Sequence, residues 1–254
     1  MHLDAEEIRD FYRKNRLGIY AGQLLAEKTA EIWDSLRGLT VVGYGFAPPV
    51  LQYAVGNAAG LVNLMPARHG VVRWPDGKSN TSVLTHETDW PLPTGYADRI
   101  VMLHGLETGA NPGGLLDECW RVLAPEGKVL IIVPNRAGLW AKGDATPFGF
   151  GRPFTSGQLQ NFLGKRRFGV LNIRAALFAP PSGRGFWLAG ASVIEKLGSN
   201  ARLRFAGGVL LLEAQKRVFQ MHRPPLTEAV ASGLRALEGI TAPGAKPVSG
   251  RDAA

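Results

Sequence analysis

His104-Gly105-Leu106-Glu107 closes an apolar run, so an imidazole and a carboxylate stand where a strand ends. An imidazole titrates near neutrality and suits general-base work. A histidine held only for structure is the other reading. Glu107 reads as a partner for a helix or loop nitrogen. A second such place is Gly43-Tyr44-Gly45-Phe46. Glycines there let backbone approach a ligand and permit positive φ, and the helix that follows offers free N–H groups. An ordinary strand-to-helix turn has the same wording. His86-Glu87-Thr88-Asp89-Trp90 is a polar loop with one large ring. The segment 135–154 gathers Asn135, Arg136, Trp140, Phe148, Arg152 and Phe154. Its guanidinium forks match phosphate or carboxylate, and its rings can stack on a planar group or close a lid.

Elements must hold these residues in place. Two helices are expected over 4–16 and 20–36, the second with a stripe of Leu24, Leu25, Thr29, Ile32 and Leu36. Strands are expected at Leu39–Val42, Leu61–Leu64, Ser82–Thr85, Asp98–Leu103 and Val129–Val133. Helices are expected at Val50–Ala58 and Pro112–Leu123. The stretch 65–80 is punctuated by Pro66, Gly70, Pro75 and Gly77, so a crossover helix there is short or missing. Thr155 is a candidate N-cap for a helix to Leu163. The last two strands are expected at Phe168–Leu177 and Gly207–Ala214, with a helix over Phe186–Leu197 between them. A helix over Thr227–Leu237 is expected to stand alone.

Composition narrows the classes. A hydrophobic content of 45% in 254 residues supports a sizeable core. The single cysteine, Cys119, cannot pair within the chain and lies on an apolar helix face, which points to a core residue and a reducing cytoplasm. No run is long enough to span a bilayer, and the start of the chain has no apolar segment of signal-peptide type. The net charge of +8 admits nucleic acid, phosphorylated metabolites or anionic membrane as partners, but the basic residues are scattered in short groups. Metal-ligand spacing, a nucleophile elbow and a Walker A loop are all missing. Pro48 takes the last glycine position of a dinucleotide fingerprint, which argues against a dehydrogenase.

The stretch Leu115–Arg136, LLDECWRVLAPEGKVLIIVPNR, runs from an amphipathic helix into a strand that is apolar on both faces. It resembles the segment before and through the fifth strand of class I S-adenosylmethionine (SAM)-dependent methyltransferases, with type-11 methyltransferases most similar. The resemblance extends over residues 20–217. It implies an α/β fold: a seven-stranded, mostly parallel, doubly wound sheet with an N-terminal helical extension. Residues 1–37 would pack on the core, 38–221 would form the methyltransferase domain, and 222–254 would be a largely disordered tail.

The resemblance also implies roles at the carboxyl ends of the strands, where open sheets bind ligands. Gly43, Tyr44, Gly45 and Phe46 take the place of the glycine-rich cofactor loop. His86, Glu87 and Trp90 fall where the family contacts adenine. His104 lies between sulfonium and acceptor, and Asn135, Arg136, Trp140 and Arg152 lie on the substrate side. Three positions depart from the pattern. Ala47 replaces the third glycine, Val41 replaces an acidic residue, and Met65 stands where the second strand ends in a ribose-binding acid. Loss of that acid removes a charge-assisted hydrogen bond of roughly 1.5–3 kcal/mol, tenfold or more in affinity. Met65→Asp or Met65→Glu is therefore expected to strengthen SAM binding. The implied activity is methyl transfer to an N or O nucleophile of an anionic acceptor, RNA or a small molecule. The alternative is a methyltransferase-like scaffold, or a protein that needs a small partner protein for activity.

Overall fold

The computed structural model describes residues 4–183, 185–198 and 207–217. The tail from 222 and the expected helix over 227–237 lie outside the described residues. Six helices and seven strands are described: α1 (Ala5–Lys14), α2 (Arg16–Ile32), β1 (Thr40–Gly45), α3 (Pro48–Leu51), β2 (Gly60–Pro66), β3 (Ser82–Thr85), β4 (Ala97–Leu103), α4 (Pro112–Val122), β5 (Leu123–Pro134), α5 (Ser156–Gly164), β6 (Phe168–Ala176), α6 (Gly185–Gly198) and β7 (Val209–Lys216).

The strands form one sheet in the order β3-β2-β1-β4-β5-β7-β6. The first five neighbours are parallel, and β7 runs antiparallel between β5 and β6. This is the seven-stranded, methyltransferase-type sheet that the resemblance implied. Its reason is visible in β5, where Val129 to Val133 are fully buried, as a central strand covered on both faces must be. One apolar cluster packs α1, α2 and α3 on one face; the other packs α4 and α5 on the opposite face.

Local chemistry sets the helix ends. Asp4 caps α1 by accepting from Glu7 N–H at 2.8 Å. Asn15 ends α1 and caps α2, its Oδ1 accepting from Leu17 and Gly18 N–H. Thr155 and Gln158 make a capping box at the start of α5. Helix α3 is much shorter than the expected 50–58. It stops at Leu51, passes through a 3₁₀ turn over Gln52–Ala54, and meets Gly56 at φ +85°. Pro48 and Pro49 start it, yet no turn beyond Gln52 carries the α-helical pattern.

Cys119 is fully buried on α4, and burial pushes its thiol well above the usual range. A thiol held protonated and inaccessible is inert. Ellman's reagent should therefore leave the native protein unmodified and titrate one thiol after denaturation. Rapid modification of the native protein would contradict this placement of α4.

Candidate site at the tips of β1 and β4

Strand β1 pairs with β2 on one side and β4 on the other, so the order of strands reverses at the β1–β4 junction. Ligands in open α/β sheets bind outside the carboxyl ends at such a point. The two strand tips are tied together there. Phe46 N–H donates to Leu103 O at 2.7 Å, and Gly45 adopts φ +86° directly against the same carbonyl.

His104 follows at φ +54°, a left-handed conformation that side-chain-bearing residues seldom adopt. Its ring is 1% exposed and both nitrogens are engaged. Nε2 lies 2.8 Å from the Tyr12 hydroxyl of α1, and Nδ1 lies 3.2 Å from Glu107 Oε1. The Phe148 ring packs on the imidazole at 4.6 Å between centroids. Burial, with the Glu107 charge adding to it, holds the Tyr12 phenol well above its ordinary value, so the hydroxyl keeps its proton. A carboxylate can only accept, so Nδ1–H donates to Glu107, and in the neutral ring Nε2 accepts from Tyr12 O–H.

Glu107 is 2% exposed, and its second oxygen, Oε2, is buried with no hydrogen-bond partner. The backbone around it is fixed: Arg152 N–H donates to Glu107 O at 2.8 Å, and Thr108 Oγ1 donates to His104 O at 2.9 Å. Next to this carboxylate is a cavity of about 260 Å³, lined among others by Ile8, Arg68, His104, Glu107, Phe150 and Arg152. Four separate segments supply these walls: α1, the β2–β3 loop, the β4 tip and the β5–α5 loop.

Most residues that the sequence singled out are committed elsewhere. Gly43 is inside β1, where a Cβ would meet Leu51 and Asn63. Tyr44 is fully buried and stacks on Trp90 at 4.9 Å. Trp90 is 2% exposed, donates Nε1–H to Glu87 O, and gives its backbone N–H to Glu118 at 2.7 Å, so its ring packs in the core. Glu87 spends its carboxylate on the N–H groups of Ala110 and Asn111, at 3.0 and 3.1 Å, just ahead of α4. His86 is exposed. Met65 is fully buried, and Phe46 is buried against Tyr12 with ring centroids 6.0 Å apart.

On the substrate side, Asn135 Nδ2 donates to Gly207 O at 2.7 Å, and Trp140 Nε1 donates to Ala179 O at 2.8 Å, both side chains being buried. Arg136 is exposed and bonds Pro153 O at 3.0 Å. Of the sequence-derived set, His104 and Arg152 share the cavity. Tyr12 and Arg68 were missed, and the unpartnered Glu107 oxygen was not foreseen. Tyr12 sits 92 residues from His104, so its only local signal was its place on the buried face of α1 with Ala5 and Ile8.

Residues 28–131 match the model of the methyltransferase domain family. No curated protein sequence matches the chain. Among solved structures, a SAM-dependent methyltransferase from Thermotoga maritima is similar at a TM-score of 0.56 and 15% identity, over 84% of this chain and 95% of that one. The Burkholderia thailandensis 1,6-didemethyltoxoflavin-N1-methyltransferase, solved with 1,6-didemethyltoxoflavin and S-adenosylhomocysteine, gives 0.53 and 12%, over 84% of each chain. A chain from the complex of the Haloferax volcanii Trm112 methyltransferase activator with a methyltransferase gives 0.52 and 15%, over 85% of this chain and 100% of that one. At such identities the structural likeness carries the fold. Residues 28–131 thus match a methyltransferase domain, and the described residues share the fold of solved SAM-dependent methyltransferases.

Proposed function

We infer that the protein transfers a methyl group from SAM to a nitrogen or oxygen nucleophile, with reaction at the junction of β1 and β4. The observation that carries this is the cavity at the switch point, walled by His104, Glu107 and Arg152. Its chemistry fits one end of SAM. Glu107, one of whose oxygens is buried without a partner, and two arginines, Arg68 and Arg152, line the same space. A ligand carrying an ammonium and a carboxylate matches such a set. At about 260 Å³ the cavity lies below the ~300–1,000 Å³ usual for a whole small ligand. It suits the amino-acid end.

SAM supplies an electrophilic methyl carbon, and the chain has to bind, align and exclude water. Phe148, Phe150 and Pro147 give the site apolar walls. His104 has both nitrogens hydrogen-bonded, so it serves as a base only when Tyr12 leaves Nε2. In the arrangement described it holds Glu107 in place. The acceptor is a small molecule in this reading. Arg166 and Arg167, which could have served an RNA surface, are engaged with Asp117 at 2.6 Å and stacked on Trp120 at 3.9 Å.

A specific observation favours a second reading, a methyltransferase-like binding protein or one that needs a small protein partner. Pro48 and Pro49 remove two N–H donors from the loop after β1, Phe46 N–H is already used, and the second strand ends in a buried methionine. Isothermal titration of the purified chain with S-adenosylhomocysteine (SAH) decides between them. Micromolar binding supports the enzyme, and absent binding supports the scaffold. Among the described residues no helix is long and apolar enough to cross a membrane.

The two arginines first assigned together now separate. Arg152 lines the cavity, whereas Arg136 is turned to Pro153 O. Arg152→Ala should weaken SAH binding about tenfold, the scale of one lost charge-assisted contact. Arg136→Ala should leave it within twofold. Equal losses in the two variants would refute this division of the loop.

A further inference from the structure

We propose that Glu107 supplies a carboxylate to a cofactor site that lacks the acids of the family pattern, and that its Oε2 receives the α-ammonium of the cofactor. The proposal rests on the methyltransferase reading above and names the residue through which this chain meets it.

Four observations lead there. First, the two positions at which the family pattern places an acid hold Val41 and Met65, both fully buried among apolar residues and neither carrying a carboxylate. Second, Glu107 is nine-tenths buried and more, yet one of its oxygens lacks a partner. Buried carboxylate oxygens normally find donors, because an unmade bond leaves the desolvation cost unrecovered. Third, Glu107 is among the residues that line the cavity at the β1–β4 switch. Fourth, its other oxygen is pinned by His104 Nδ1, which is itself pinned by Tyr12, so the open oxygen is held by neighbours on two elements. His104 is thus a positioning residue for this carboxylate. An ammonium is the donor that best suits a buried anion, since charge and hydrogen bond are satisfied together. The cofactor's carboxylate then falls to the guanidinium groups of Arg68 and Arg152 on the same cavity.

Three probes separate the parts of the ligand. SAH carries ammonium and carboxylate, decarboxylated SAH (S-adenosyl-3-thiopropylamine) keeps the ammonium alone, and 5′-methylthioadenosine has neither. Wild-type protein should bind decarboxylated SAH at least tenfold more tightly than 5′-methylthioadenosine. Glu107→Gln, with its fold checked by circular dichroism and melting, should bind SAH and decarboxylated SAH at least tenfold more weakly. Its affinity for 5′-methylthioadenosine should stay within twofold. Unchanged SAH affinity in a folded Glu107→Gln overturns the proposal. An equal loss for all three probes overturns it too, because Glu107 would then act on the adenosine end or on the fold. If Glu107→Gln does not fold, the wild-type comparison stands by itself: equal affinity for decarboxylated SAH and 5′-methylthioadenosine overturns the proposal. A wild-type chain that binds none of the probes defeats the cofactor reading as a whole. One that binds SAH indifferently to Glu107 defeats only this assignment.

Discussion

Met65→Asp is expected to destabilise the protein by about 3–5 kcal/mol, the scale of an uncompensated buried charge. By sequence the same change is expected to restore a ribose acceptor and strengthen SAM binding. The structure reverses the sign. Met65 is fully buried and belongs to the apolar cluster that includes Phe46, Val72 and Trp74. A carboxylate placed there leaves water and meets hydrocarbon. Thermal denaturation should show a melting temperature lower by roughly 6–20 °C for a domain of this size. The penalty should also depend on pH. Burial raises the carboxyl's folded-state pKa above its unfolded value, so the cost is absent below the unfolded pKa and grows as pH rises toward the folded one. The variant should therefore melt closer to wild type at pH 4 than at pH 8. A variant as stable as wild type that binds SAH more tightly would restore the ribose-acceptor role that the sequence implied.

The difference between these two expectations shows which parts of the molecule the sequence made legible. Strand β5 was legible because a continuous apolar run admits few other readings, and α4 because Pro112, its buried stripe and the break at Leu123 are all local signals. The antiparallel direction of β7 was not legible beyond the mostly parallel sheet that the resemblance implied. The site was less legible because its contacts are long-range. Tyr12 reaches His104 across 92 positions, and the Arg152 backbone holds Glu107 from a loop beyond β5. Alignment to a family pattern located strand ends well but could not say which side chains turn inward. Tyr44, Met65 and Trp90 all lie near ligand positions in the chain and are all spent on packing. Glu87 shows the same ambiguity for a charged group: a carboxylate suited to an exocyclic amine is equally suited to two backbone N–H groups, and here it takes the latter.

Gly45 is expected to matter more to folding than to the cofactor. The resemblance puts Gly45 in the glycine-rich cofactor loop, where the side chain added by Gly45→Val is expected to weaken SAM binding. The structure puts backbone, not ligand, where the new side chain must go. A Cβ at this position would lie 2.3 Å from Leu103 O and 2.8 Å from Gly105 N. Neither atom can move without breaking the β1–β4 pairing that ends at Gly45 and Leu103. The residue also sits at φ +86°, where an L side chain costs roughly 1–2 kcal/mol and a β-branched one more. Strain and overlap together should exceed about 4 kcal/mol, which few single substitutions reach. Gly45→Ala should suffer most of this loss, because the collision begins at Cβ. Gly157 in α5 is the control: it has open space around it, and alanine in a helix is favoured over glycine by roughly 0.5–1 kcal/mol, so Gly157→Ala should raise the melting temperature slightly. Urea denaturation of the three variants reads all of this directly. A Gly45→Ala protein within about 0.5 kcal/mol of wild type, the usual range of surface changes, would show that the strand tips are not locked. The space at Gly45 would then be available to a ligand, as the glycine-loop resemblance implies.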